Sequence, residues 1–358
     1  MIMDKDIRQR ERKKIGRVII KVVLIALAGI IAIMGGVLLY ANVKHRKALK
    51  EEEQYLTPPG QMVEVNGHKI HVVHTGNENA KHTLVFIHGN RTADEAVALE
   101  PLFEQLSDYE LIYVDRSGTG YSDDWDAPKD IDSMLEETRE ALKQVTDSES
   151  YILVASKSGG TEAFEWVHKY PEEVEAVIGI QMYFPDQYDG LDQNAYYSLK
   201  NKLALALVNI GAQRLADSVW PEDDKDIYSK DQMDRRTAIV ARGLYTKGMC
   251  NEDKNMVINA NKVAGYGWPE DVPIYAIYCN PYMDPYLHEN ENVLEVYEDQ
   301  AADNSEDPAD TYNSYYKEHF AEHDNVEFAE LSGPDRLVVY NPQKLAEMMK
   351  GYINDKLE

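Results

Sequence analysis

Tyr151 to Gly160 reads Y-I-L-V-A-S-K-S-G-G, an aromatic and β-branched run that stops on serines and glycines. A run of this kind predicts a buried strand that turns at once into a helix. Such a turn can hold a nucleophile at its apex in strained backbone, with small residues two before and two after it. With Ser158 at the apex, the small residues are Ser156 and Gly160, and the Gly159 N–H points at a developing oxyanion. A plain Ser/Gly turn with no chemistry is the alternative reading of the same ten residues.

The elements on either side decide between these readings. Met62 to Val73, M-V-E-V-N-G-H-K-I-H-V-V, alternates apolar and polar residues around Asn66-Gly67 and predicts a β-hairpin. Thr83 to Ile87 and Leu111 to Val114 predict strands that run into His88-Gly89-Asn90-Arg91 and Asp115 to Ser122. Helical spacing follows over Ile131 to Val145, then come the Tyr151 strand, a helix over Thr161 to Lys169 and a strand over Ala176 to Met182. Strands alternating with helices predict an α/β fold, a mostly parallel sheet covered by helices on both faces. Pro185 to Trp268 interrupts the alternation with helical patterns and reads as an insertion above the strand ends. The sheet resumes at Val272 to Tyr278 and ends at Val326 to Leu331, before a closing amphipathic helix from Pro342 to Leu357. The long acidic connection Tyr286 to Asn325 between them reads as a solvated face, without the glycine and terminal glutamate of a calcium loop.

The N-terminus is a different kind of sequence. Val22 to Val43 carries no charged residue, and as a helix it would be about 33 Å long, enough to cross a bilayer core. The expected organisation is a basic tail over 1–17, a transmembrane helix over 18–43, a linker over 44–60 and a folded domain over 61–358, with the insertion at 185–268. Residues 1–43 hold 8 Lys/Arg against 3 Asp/Glu, out of 37 and 63 in the whole chain, so the whole acidic surplus lies after them, in the folded part. That surplus excludes nucleic acid as a partner. The richer basic flank precedes the span, which predicts a cytoplasmic N-terminus and an extracellular domain. Outside the cell, Cys250 and Cys279 could pair, although no spacing signature asks for it. No Cys/His cluster at ligand spacing supports a metal, and no cofactor is implied.

Over residues 61–358 the ordered motifs resemble the α/β-hydrolase fold. His88-Gly89-Asn90 is similar to its H-G-x loop, Asp115 to Ser122 to its D-R-x-G-x-G-x-S turn, and Ser156 to Gly160 to its G-x-S-x-G elbow. Pro273 to Asp284 is similar to the strand that delivers its acid. The resemblance implies acyl transfer: Ser158 as nucleophile, Asn90 and Gly159 N–H groups as oxyanion hole, Asp284 as orienting carboxylate, and His88 as scaffold. The insertion would be the family's cap. Haloalkane dehalogenases also resemble this chain at Asn90, but with aspartate where it has Ser158.

The histidine of that scheme is missing. Its slot, seven residues before Pro342, holds Asp335, and no histidine follows His323. An ordinary carboxylate is a poor base for a serine hydroxyl. His319 or His323 folding back, or Lys157 beside the serine, are the candidate substitutes. Two functions follow: a membrane-anchored serine hydrolase of esters, amides or other small acyl substrates with an atypical triad, or a non-catalytic descendant that binds a small ligand or a partner.

Overall fold

The computed structural model describes residues 2–126, 128–196, 199–215, 224–243, 246–283 and 312–358. One eight-stranded sheet organises the folded part. Its strands are β1 (Gln61–Val65), β2 (His68–Gly76), β3 (Thr83–Ile87), β4 (Glu110–Asp115), β5 (Tyr151–Ser156), β6 (Val174–Ile180), β7 (Ile274–Asn280) and β8 (Val326–Ser332), in the order β1-β2-β4-β3-β5-β6-β7-β8. β2 pairs antiparallel with β1 and β4, and every other pairing is parallel. The opening hairpin turns where the sequence predicts it, with Asn66 at φ +53° and Gly67 at φ +81°, the left-handed pair that a two-residue turn requires. β3 and β7 are buried at every position, as strands covered on both faces must be.

The helices of seven residues or more, among the described residues, are α1 (Ile2–Glu51), α2 (Ile131–Leu142), α3 (Gly159–Lys169), α4 (Leu199–Asn209), α5 (Lys230–Gly243), α6 (Lys247–Ala264), α7 (Ser314–Phe320) and α8 (Pro342–Lys356). Helix α2 starts where Asp130 caps it by accepting from the Ser133 N–H at 3.0 Å, and it buries Ile131, Met134, Leu135, Ala141 and Leu142 on one stripe. Of these, Ile131, Leu135, Ala141 and Leu142 pack with Phe164 and Trp166 of α3 on one face of the sheet. On the other face, Leu102 and Phe103 meet Leu345, Met349 and Ile353 of α8. The parallel strands all point the same way, so the loops after β3, β5, β6, β7 and β8 converge at one edge, where open α/β sheets form their binding crevice.

Helix α1 is long and apolar enough to cross a membrane, with a mean hydropathy of 2.9 in its most apolar window and none of that window buried. It does not stop at the end of the uncharged segment. The segment expected to be a linker continues as helix to Glu51 and as a 3-10 turn from Glu52 to Tyr55. The reason is a docking contact: Arg214 forks onto Glu52 at 2.6 and 2.7 Å and donates to His45 Nδ1 at 2.8 Å, which holds the helix against the inserted region. Cys250 and Cys279 are both free and buried.

Candidate active site

Strand β5 ends at Ser156, and the residue in left-handed backbone is Lys157, at φ +50°. Ser158, expected at the strained apex, is instead the helical residue that opens α3, at φ −67° and ψ −7°. The apex is therefore one residue earlier than the sequence reading placed it. Its carbonyl fixes the turn by accepting from Gly160 N–H at 3.2 Å and Tyr183 N–H at 2.8 Å. The small residues that this register requires are Ala155 and Gly159. A Cβ on Gly159 would lie 2.5 Å from the Ile87 carbonyl oxygen and 3.0 Å from that of His88, so nothing larger fits. The stretch A-S-K-S-G-G carries small residues at the right spacing in both registers, which is why pattern alone does not choose between them.

Ser158, Asn90 and Gly159 do come together, in an unexpected arrangement. The Asn90 N–H donates to Ser158 Oγ at 2.8 Å, and Ser158 Oγ donates to Asn90 Oδ1 at 3.2 Å. The N–H expected to meet an oxyanion is thus turned onto the serine itself. Asn90 Nδ2 donates to Asp253 Oδ1 at 2.9 Å, and Arg91 donates from Nε and Nη2 to both Asp253 oxygens at 3.0–3.1 Å. Asp253 lies on α6, so the inserted region latches onto the loop after β3.

Asp335 goes to a different partner. Its Oδ1 accepts from Lys157 Nζ, forming an ion pair between the apex and the position seven residues before Pro342. The lysine side chain is 32% exposed and the aspartate 47%. Asp284 lies outside the described residues. His319 and His323 stack at 4.0 Å on Phe184 and 3.9 Å on Trp268 respectively, with Asp186 and Glu270 as their acidic neighbours. Burial lowers the pKa of His319. Neither histidine is a partner of the Ser158 hydroxyl.

Beneath the loop after β3, His88 is buried, with Nδ1 at 2.6 Å from both the Gly89 carbonyl oxygen and Thr92 Oγ1. Burial, then the Arg116 charge, holds its pKa well below the ordinary value, so the ring is neutral. Arg116 donates to the His88 carbonyl at 2.9 Å, to Glu162 at 3.2 Å and to Glu252 of α6 at 2.6 Å. Burial alone would lower its pKa, but the Glu252 and Glu162 charges outweigh that and raise it. A buried cation with both carboxylates in place locks loop, core and α6 together.

Two cavities flank the Lys157–Asp335 pair. One, of about 370 Å³, is walled by Tyr183, Tyr278, Tyr312, Tyr315 and Tyr316 with Cys279. Burial, with the Asp335 charge, pushes the Cys279 thiol up to about 12, and its sulfur accepts from Gln181 Nε2 at 2.9 Å. It is a packed thiol rather than a nucleophile. The second cavity, of about 320 Å³, is lined by Glu95, Ile180 and Val338 among others. Five non-glycine residues among those described have positive φ, and four of them, Arg91, Lys157, Gln181 and Arg336, line this cavity. Strain of this kind persists where surrounding structure over-determines it, and it concentrates at binding sites. Burial, then the neighbouring Asp94 charge, raises the Glu95 carboxyl to about 7, against opposing Arg336 and Arg236 charges. Sequence reasoning missed Glu95 and Gln181, because nothing in spacing or composition distinguishes them from surface residues.

No protein-family model matches the chain. It is 26% identical over 343 residues to YbdG, an uncharacterized protein of Bacillus subtilis (strain 168), covering 92% of this chain and 95% of that one. Among solved structures it is similar to a putative epoxide hydrolase from Pseudomonas aeruginosa, with a TM-score of 0.57, 16% identity, and 83% and 96% of the two chains covered. The epoxide hydrolase VrEH1 from Vigna radiata superposes with a TM-score of 0.55 at 15% identity, over 82% and 97%. Sheet order, strand directions and these superpositions agree: the chain is an α/β-hydrolase-fold protein, with a long apolar helix ahead of the fold.

Proposed function

We propose that this protein is a membrane-anchored α/β-hydrolase-fold protein that binds a small molecule in the cavities around Lys157, without acyl turnover through Ser158. The observation that carries this reading is the Lys157–Asp335 pair at the elbow. A lysine amine bound to a carboxylate is poorly placed to act as nucleophile or base, and Ser158 Oγ, bonded to Asn90, has no histidine or carboxylate partner among the described residues. Loss of a triad's base can cost on the order of a million-fold in turnover. The ligand that suits the site has an anionic group to compete with Asp335 for Lys157 and a ring or apolar body to lie among the tyrosines. Asn90, Gly159 and the acid expected at Asp284 would then be remnants of the fold's chemistry.

The test is labelling with a fluorophosphonate probe. The folded protein is expected to remain unlabelled, and a label that disappears in Ser158→Ala would refute the binding reading in favour of a serine hydrolase with an atypical triad. Anchoring places α1 in the bilayer with the N-terminus cytoplasmic and the folded domain outside, on the strength of the basic flank before the span. Protease added to intact cells is expected to digest the region after Gln61; complete protection there would reverse the orientation.

A further inference from the structure

Helix α4 exposes apolar side chains that the fold leaves uncovered. Leu199 is 81% exposed and Leu203 59%, and Ala206 is exposed as well. Positions i, i+4 and i+7 share one face of a helix. Single exposed leucines are ordinary, but a helical row of them beside a membrane anchor is not.

The row is tied to the anchor through the turn that follows it. Gly211, at φ +81°, packs so closely on α1 that an added Cβ would lie 2.2 Å from His45 Cβ and 3.2 Å from the Ala41 carbonyl oxygen. Lys44 Nζ donates to the Arg214 carbonyl at 2.9 Å, close to the Arg214 contacts with His45 and Glu52. Ala41 is two residues short of Val43, the last residue of the uncharged segment, about 3 Å along the helix axis. The C-terminal end of α4 is therefore pinned at the level where α1 leaves the hydrocarbon. Around that level Lys44, Arg46, Lys47 and Lys50 are exposed, a basic collar on a chain of net charge −26. Cations at the exit of a span suit anionic headgroups.

We infer that α4 is an interfacial helix, with the Leu199, Leu203 and Ala206 face lying in the headgroup and acyl boundary of the leaflet from which α1 emerges. This rests on the membrane-anchor reading and extends it: the inserted region is seated on the lipid surface rather than held above it. Lipid is the occupant the geometry favours, because the turn that ends α4 packs on α1 just before the end of its uncharged segment and the charges beside it match an anionic surface.

The test uses the full chain in vesicles of phosphatidylcholine and phosphatidylglycerol. Leu203→Cys, Leu199→Cys, Ile31→Cys and Asn79→Cys are each labelled with an environment-sensitive fluorophore, the two native cysteines being buried. Ile31, 69% exposed within α1, reports the span, and Asn79, in the turn between β2 and β3, reports water. Quenching by lipids with a shallow nitroxide is expected to reduce the signals at Leu203 and Leu199 by about twofold. A deep nitroxide is expected to quench Ile31, and neither to affect Asn79. Quenching at Ile31 with none at both leucine positions would overturn the inference and leave the anchor standing. No quenching at Ile31 would remove the anchor reading and this one with it. Signals at the leucines that follow protein-to-lipid ratio instead of nitroxide would mean that a second copy covers the face, and would also overturn it.

Discussion

If Lys157 occupies the nucleophile position and Asp335 the histidine position, esterase activity should require changing both. The perturbation is Lys157→Ser together with Asp335→His. The ion pair they remove is one-third and one-half exposed, so its contribution to stability is about 1 kcal/mol or less and the variant should fold. The left-handed turn at residue 157 and the close approach of Gly159 to Ile87 are backbone features that survive the change. In a complete triad, loss of serine or histidine costs roughly a million-fold and loss of the acid roughly 10⁴-fold. With hydroxyl and imidazole restored but the acid unproven, about a hundredfold gain over either single variant is expected. The assay is hydrolysis of a p-nitrophenyl ester, paired with fluorophosphonate labelling and peptide mapping to residue 157. If Asp335→His alone matches the double variant, or the label maps to Ser158, the register argued from φ is wrong.

Two further outcomes follow from local geometry. Gly159→Ala drives a methyl to 2.5 Å from the Ile87 carbonyl oxygen, and thermal unfolding should show a loss of about 1–3 kcal/mol. Glu95, raised from 4.5 to about 7 in the fold, binds a proton more tightly folded than unfolded. Its protonation therefore favours the native state below about pH 4.5, and that advantage is lost as pH rises through about 7. Because the side chain keeps some solvent contact, the effect is about 1–2 kcal/mol. Denaturant unfolding should accordingly show Glu95→Gln more stable than the native chain at pH 8, with the difference shrinking at pH 5; equal stability at both would remove Glu95 as a titrating group.

Much of the sheet is legible from residue pattern, because strands buried on both faces must be apolar throughout and the turns after them need particular residues. Asn66-Gly67 specifies its hairpin, and Thr83 to Ile87, Tyr151 to Ser156 and Ile274 to Asn280 specify strands. The site was legible only as a neighbourhood. Asn90, Ser158 and Gly159 converge, but which residue takes the left-handed turn depends on what a Cβ meets across the sheet, and Ile87 and His88 are some seventy positions away in sequence. The helical continuation of α1 was hidden for a similar reason. Glu51 to Glu53 reads as solvated chain until Arg214, far along the sequence, supplies the partner that keeps it folded.

That exit also decides how the domain can move. A free segment over residues 44–60 would let the domain wander within roughly 20–25 Å of its attachment point. Helix α1, at about 75 Å for 50 residues, instead acts as a stiff mast. If α1 spans a bilayer, Gly211 seated on His45 would hold the crevice at one heading and one height above it, so a ligand would be met by an aperture of fixed aim. A fragment that starts after Val43 would therefore lose more than an apolar helix. It would lose one wall of the inserted region, and its binding behaviour would describe a different molecule.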